Sequence, residues 1–232
     1  MLILGGMIGY RQYWVATGER AFLRVSPVDP RDLFRGDYVS LSYEISTLDL
    51  EGLGAKESFQ PKEKVYVNLQ AQADGTWKAA GVSKSPPGGK NFIQGVARFE
   101  RRDSKWEVIV KDDLGNLHTL LPRWRPAFPI GDRVTFCLDE GGQVVNLFKE
   151  DPSRKSTCRG GPPVTGILVD RKETPFRLLH VEYGIESFFV QEGKGRDIES
   201  GRAGRDLKVE VALRRDGKAM LTALWVDGKV FH

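Results

Sequence analysis

Acidic residues are the side chains of this sequence best placed, by type and spacing, to do chemistry. Asp29, Asp32 and Asp37 crowd into the stretch DPRDLFRGD, and Glu182 and Glu186 stand four apart in VEYGIE. Two carboxylates about 5 to 10 Å apart suit glycoside hydrolysis. A carboxylate-dependent hydrolase of cell-envelope carbohydrate or peptide is therefore one expectation. Arg31 and Arg35, however, are interleaved with the three aspartates. A self-neutralising turn, with ionic hydrogen bonds holding a loop at the head of a sheet, accounts for these residues more simply.

Other chemistries find less support. His118 falls in a polar strand pattern, His180 in an apolar one, and His232 is the last residue. They form no pair at metal-ligand spacing and no acid–His–nucleophile series. The chain lacks GxxxxGK[ST] and lacks a GxGxxG that follows a strand and opens a helix. EGKGRDIESGRAGR (192–205) is glycine-rich and basic, but it reads as a loop. Cys137 and Cys158 are neither CxxC nor near a histidine, which argues against zinc. They fit one disulfide in an oxidising compartment or two separate thiols, with Cys137 a core residue of the strand-like RVTFCL. No catalytic residue, metal or cofactor is expected, and no small-molecule ligand is identified.

The elements that would position these groups are mostly strands. The 232 residues suffice for one large all-β domain or two modest ones. With 26 glycines, 12 prolines and few long helical patterns, short strands joined by many turns are expected. The net charge is +4, and the basic residues are scattered among 31 acids rather than gathered on a stripe, so nucleic acid is not an expected partner.

The N-terminal segment has a different character. Residues 1–9 are apolar or glycine, and Tyr10, Tyr13 and Trp14 follow beside Arg11, as at the headgroup end of a membrane helix. A span needs about 20 apolar residues, and half of one is present. Residues 1–20 are read as a helix, expected over 2–17, that is either a truncated membrane anchor or an amphipathic lead-in packed on the domain. The anchor is the preferred reading.

The rest of the chain repeats one pattern three times: an alternating strand, a polar segment and a β-hairpin. The units are expected over 21–87, 88–163 and 164–232. Their hairpin turns fall at Asp74-Gly75, Gly141-Gly142 and Asp216-Gly217, pairs that supply positive φ. Val65, Val67 and Leu69 alternate with polar neighbours, as do Val209, Val211 and Leu213. The fold class is mainly β, with antiparallel sheets or barrel-like units and a short N-terminal helix. Residues 47–58 read as a short turn of helix. The middle unit has the rhythm of small OB-type or SH3-like barrels. That makes nucleic-acid binding through Trp106 and Trp124 a further alternative.

In GDYVSLSYEIS, Val39, Leu41, Tyr43 and Ile45 share one strand face, and Tyr38, Ser40, Ser42 and Glu44 the other. Tyr43 is expected in the core with its hydroxyl seeking a partner, and Tyr38 on a recognition surface. Gly36, Asp37, Tyr38, Leu41 and Tyr43, preceded by VDPRDLF, resemble the motif that names the GDYXXLXY family. VEYGIESFFVQEGKG resembles its second recurring stretch through Tyr183, Gly184, Ile185, Glu186, Phe189, Glu192 and Gly193.

The resemblance implies a bacterial protein with an N-terminal membrane anchor and a soluble domain outside the cytoplasm. It also implies an integral-membrane partner, because related genes often neighbour multispanning proteins. It implies no activity. The middle unit is longer than the family pattern and is read as an inserted module. The resulting expectation is a non-enzymatic, membrane-tethered, extracytoplasmic β-domain that binds or supports a membrane partner or envelope ligand. Its surface is expected near Arg35, Asp37, Tyr38, Tyr183 and Glu186, where the two motifs meet.

Overall fold

A computed structural model describes residues 2–26, 38–89, 91–122, 125–138, 144–149, 158, 163–189 and 206–231. Helix α1 (Leu2–Thr17) is followed by strands β1 (Glu19–Ser26), β2 (Tyr38–Ser40), β3 (Ser42–Tyr43), β4 (Thr47–Asp49), β5 (Lys64–Ala71), β6 (Trp77–Ser83) and β7 (Phe92–Asp112). Then come β8 (Leu117–Leu120), β9 (Arg133–Leu138), β10 (Val144–Lys149), β11 (Pro163–Glu182), β12 (Ser187–Phe189), β13 (Leu207–Leu213), β14 (Ala219–Val226) and β15 (Lys229–Phe231). The protein is mainly β, its described strand registers are antiparallel, and its sheets are open, with no closed barrel among the described residues.

The chain divides into two compact units: a major one, Met1–Arg101 with Arg177–His232, and a minor one, Arg102–Phe176. The segments expected as first and third β units thus contribute together to the major unit, and most of the expected middle unit forms the minor one. Strands β7 and β11 each place residues in both units.

In the major unit β1 pairs with β13 from Glu19↔Leu213 to Arg24↔Lys208, and with β3 at Val25↔Tyr43. β13 continues into β14 and β15. The β5–β6 hairpin lies against the start of β7, and β4 pairs with the end of β11. Val65, Val67, Leu69, Val209, Val211 and Leu213 are all buried, as a two-residue period with one covered face requires. They share one core with Leu23, Tyr43, Leu179 and Val181. The turns at Gly75 (φ +79°) and Gly217 (φ +84°) carry the expected positive φ, and Gly115 (φ +90°) does the same between β7 and β8. Gly141 and Gly142 lie outside the described residues.

Two expectations are corrected. DYVSLSYEIS is not one strand: it pauses at Leu41 and turns through a 3-10 helix at Glu44–Ser46, where the Tyr43 amide donates to Ser46 Oγ (3.2 Å). Residues 47–58 open as strand β4 and confine the helical turn to their centre, where the Leu53 amide donates to the Asp49 carbonyl (3.0 Å) and the Ala55 amide to the Leu50 carbonyl (2.8 Å). Long-range contacts decide this. Arg177 donates from Nε to Glu51 Oε1 (2.7 Å) and from its guanidinium to the carbonyls of Ala55 (2.8 Å) and Glu57 (3.0 Å), fastening this segment to β11.

The minor unit packs Val108, Val110, Leu120, Val134, Phe136 and Leu168 into its own core. β8 pairs with β7 at Val108↔Leu120, and β9 lies between β10 and β11. Trp106 is buried, with the guanidinium carbons of Arg125 and Arg171 each 5.7 Å from its ring centroid. Arg171 also donates to the carbonyls of Pro126 (2.9 Å) and Phe128 (3.2 Å), so Trp106 anchors a loop rather than standing open to stack a base. Trp124 lies outside the described residues.

Glycine permits close strand approach in each unit. A Cβ on Gly95 would collide with Val181 Cγ1, and one on Gly166 would meet the Lys111 carbonyl oxygen at 2.5 Å. Cys137 of β9 is bonded to Cys158 across a sequence separation of 21. Closing a loop of that size restricts the unfolded chain, worth roughly 3 kcal/mol. Replacing both cysteines by serine is expected to lower the stability of the minor unit by about that amount. Urea denaturation should show a lower midpoint, and an unchanged midpoint would remove the disulfide from the stability argument.

Candidate functional site

The two recurring stretches meet in the major unit. β2 and β12 pair at Ser40↔Ser187, Val39↔Phe188 and Tyr38↔Phe189, and the Leu41 amide donates to the Glu186 carbonyl (2.7 Å). Beyond this short ladder both chains leave strand geometry. One turns at Glu44–Ser46, and the other at Gly184, whose φ is +77°.

Side chains bridge the two turns. Tyr43 donates from its hydroxyl to the carbonyl of Ile185 (2.5 Å), and Tyr183 donates to the carbonyl of Ile45 (2.6 Å). The bonds are reciprocal. Each phenol reaches the carbonyl two residues past the other tyrosine, in Tyr43-Glu44-Ile45 and Tyr183-Gly184-Ile185. Both rings are buried, at 1% and 7% exposure, so each hydroxyl must find an acceptor inside the protein. Glu186 completes the second turn by accepting from the Tyr183 amide (2.5 Å).

The electrostatics follow from burial. Loss of water pushes the Tyr43 and Tyr183 phenols above their ordinary range, and the Glu186 carboxylate adds to the rise by opposing a second negative charge. Both phenols are therefore neutral donors at physiological pH. The arrangement locks two chain segments together.

Of the residues expected at a recognition surface, Arg35 and Asp37 lie outside the described residues, as do Asp29, Asp32 and Arg31. Tyr38 is described by its backbone pairing with Phe189. Tyr183 is buried within the clasp and Glu186 is half-buried beside it. Glu182 pairs with Arg98 (2.8 Å) while Glu186 caps its own turn, so the two carboxylates have separate partners. His118 Nε2 lies 2.8 Å from Asp112 Oδ2. That contact, with donors from Asn116 and Leu114, holds the Asp112 carboxyl down at about 2 and makes the pair a turn latch. His180 stacks on Phe99 (5.1 Å, 10°). Among the described residues no three His, Cys, Asp or Glu gather to hold a metal.

The sequence reading missed the reciprocity of the clasp, because its acceptors are backbone carbonyls. The repeated Tyr-x-Ile triplet was the available signal. Arg177 was missed for another reason: a charged residue in a strand reads as a solvated position until its partners are known.

A family model described as GDYXXLXY protein matches residues 1–224. No curated protein and no solved structure matches the chain.

Tyr43→Phe and Tyr183→Phe each strand a buried carbonyl and are expected to destabilise the major unit by about 1 to 3 kcal/mol. The pH dependence has a definite sign. A phenol pKa raised above its ordinary 10.0 contributes stability that is fully present below that value and lost as pH rises through the folded value. Denaturation midpoints should therefore fall above pH 10.0, and fall less steeply in the double phenylalanine variant. Identical slopes in the two proteins would contradict the burial of both hydroxyls.

Proposed function

The chain belongs to the GDYXXLXY family, and from that premise we propose that it is a non-enzymatic, membrane-tethered, extracytoplasmic β-domain that binds or supports a membrane-protein partner. The observation that carries the reading is the state of α1. Ile3, Met7, Ile8, Tyr10 and Tyr13 stand 52–82% exposed along one short helix, whereas Ala21 and Leu23 of the strand that follows are fully buried. Gly5, Gly6 and Gly9 have no atom within 4 Å of where a Cβ would lie, and three glycines in so short a helix weaken it in water. An apolar surface around α1 would remove both costs.

The 16-residue helix rises about 24 Å, and no helix among the described residues is long and apolar enough to cross a membrane. In this reading α1 is the part of the tether that contacts the membrane. Its aromatic end, with Arg11, has the composition of the headgroup layer. The Cys137–Cys158 disulfide supports the external compartment, since such bonds persist in oxidising surroundings. In this reading the tyrosine clasp is a fixed base beside the GDY segment. Arg35, Asp37 and Tyr38 then meet the partner, while Tyr183 and Glu186 hold the base in place.

Cells stripped of their outer layer provide the test. Added protease is expected to digest the domain, with the protein in the membrane fraction and its cysteines open to alkylation only after reduction. Protection from protease, with freely alkylated thiols, would overturn the external location. Exchanging the charges of Arg35 and Asp37 is expected to abolish crosslinks to membrane proteins without moving the melting midpoint. Lost stability with intact crosslinks would make that pair structural.

A further inference from the structure

The last turn of α1 is fastened to the end of β13. Trp14 Nε1 donates to the Ala212 carbonyl (3.2 Å), the Arg214 guanidinium lies 4.8 Å from the Trp14 ring centroid, and Arg214 donates to the Tyr10 hydroxyl oxygen. Beside these contacts, between the helix and the β13–β14 hairpin, opens a groove of about 700 Å³. Tyr10, Tyr13 and Trp14 line it from the helix, Glu19 from the start of β1, and Arg214 and Arg215 from the hairpin.

The charges of this groove sort into two sets. Arg214 forks onto Asp216, Nε to Oδ1 at 2.7 Å and Nη2 to Oδ2, so that pair is internally neutral. Each partner stabilises the other's ionised form: the Asp216 carboxyl is held at about 2 and the Arg214 guanidinium is raised. Among the described residues Arg215 has no ion-pair partner, and Glu19 meets no cation. With its amide turned to donate, Asn91 reaches the Glu19 carboxylate at 3.1 and 3.2 Å. Glu19 lies opposite Leu213 in the β1–β13 register, two residues before Arg215. The groove therefore offers one guanidinium and one carboxylate that are free of ion pairs among the described residues, and its net charge is zero.

We propose that this groove seats the zwitterionic phosphoethanolamine headgroup of a bilayer lipid, with its phosphate on Arg215 and its primary ammonium on Glu19. The assignment rests on the membrane-tether reading above. A guanidinium fork presents paired N–H donors to two phosphate oxygens, and a carboxylate accepts hydrogen bonds from a primary ammonium that a quaternary one lacks. Tyrosine and tryptophan occupy headgroup depth in membranes. Tyr10 and Tyr13 belong both to the groove wall and to the exposed surface that carries Ile3, Met7 and Ile8. Acyl chains attached to a headgroup in the groove would run along that apolar helix. An anionic headgroup fits less well, because Arg214 is committed to Asp216 and Glu19 would repel it.

The test is flotation of the full chain with three sets of vesicles: phosphatidylcholine alone, with phosphatidylethanolamine, and with phosphatidylglycerol. Ethanolamine vesicles are expected to bind more tightly than choline vesicles. A basic side chain near an anionic lipid surface is worth about fivefold in affinity, and loss of one charge from the groove is expected to act on that scale. Glu19→Gln should therefore lose about fivefold on ethanolamine vesicles while gaining on glycerol vesicles. Arg215→Gln should lose on every composition. Both side chains are exposed, so melting midpoints are expected to stay in place. Binding that ignores the headgroup, or a Glu19→Gln variant unchanged on ethanolamine vesicles, would overturn the headgroup site and leave the tether standing. Failure to float with any vesicle would sink the tether and the site together. Soluble glycerophosphoethanolamine that binds the chain while ethanolamine vesicles bind no better than choline ones would assign the groove to a free zwitterion and overturn the lipid.

Discussion

The reciprocal hydrogen bonds between Tyr43 and Ile185 and between Tyr183 and Ile45 are the constraint on which the major unit depends. They join residues 142 and 138 positions apart, so the early and late parts of the chain must come together before either bond can form. The entropy of closing so long a loop grows only slowly with its length, but it is repaid only when the buried hydroxyls find their acceptors. An unmatched phenol or carbonyl in that core would be costly. The clasp therefore selects one arrangement of the two turns, and β2, β3, β4 and β12 take their places around it.

The minor unit is held together by other means. Its core is small, and two devices supplement it: a disulfide that ties Cys158 to β9, and a buried tryptophan with two guanidiniums over its ring. Arg171 serves twice, lying over the ring and donating to two loop carbonyls. Its planar, fixed array of donors makes that double use possible. Arg177 in the major unit acts in the same manner, with its donors spread over one carboxylate and two carbonyls. Arginines on strands here organise loops.

The proposed location and the proposed lipid contact arise from one structural contrast. In β5 and β13 of the major unit, alternate apolar strand residues are covered as period two requires. Along α1 the apolar side chains stand in the open, and the contacts described for the helix gather at its C-terminal half. A helix secured at one end and uncovered at the other is suited to standing between a folded domain and an apolar phase. The aromatic and charged groups then fall at the boundary between them.

Much of the fold was legible in the sequence because it is written in local periodicity. Alternation marked the hairpins, Asp-Gly pairs marked their turns, and the abrupt apolar start marked α1. The core position of Tyr43, and its need for an acceptor, followed from the strand face alone. Tertiary structure decided what alternation cannot encode. It broke GDYVSLSYEIS at residue 44, because the Ile45 carbonyl faces Tyr183 rather than a neighbouring strand. It grouped the early and late β segments into one unit, joined Cys137 to Cys158, and committed Tyr183 to the interior. Those outcomes turn on which distant backbone atom meets which side chain. A backbone carbonyl has no letter of its own in a sequence, so its partner becomes known only when the chain has folded.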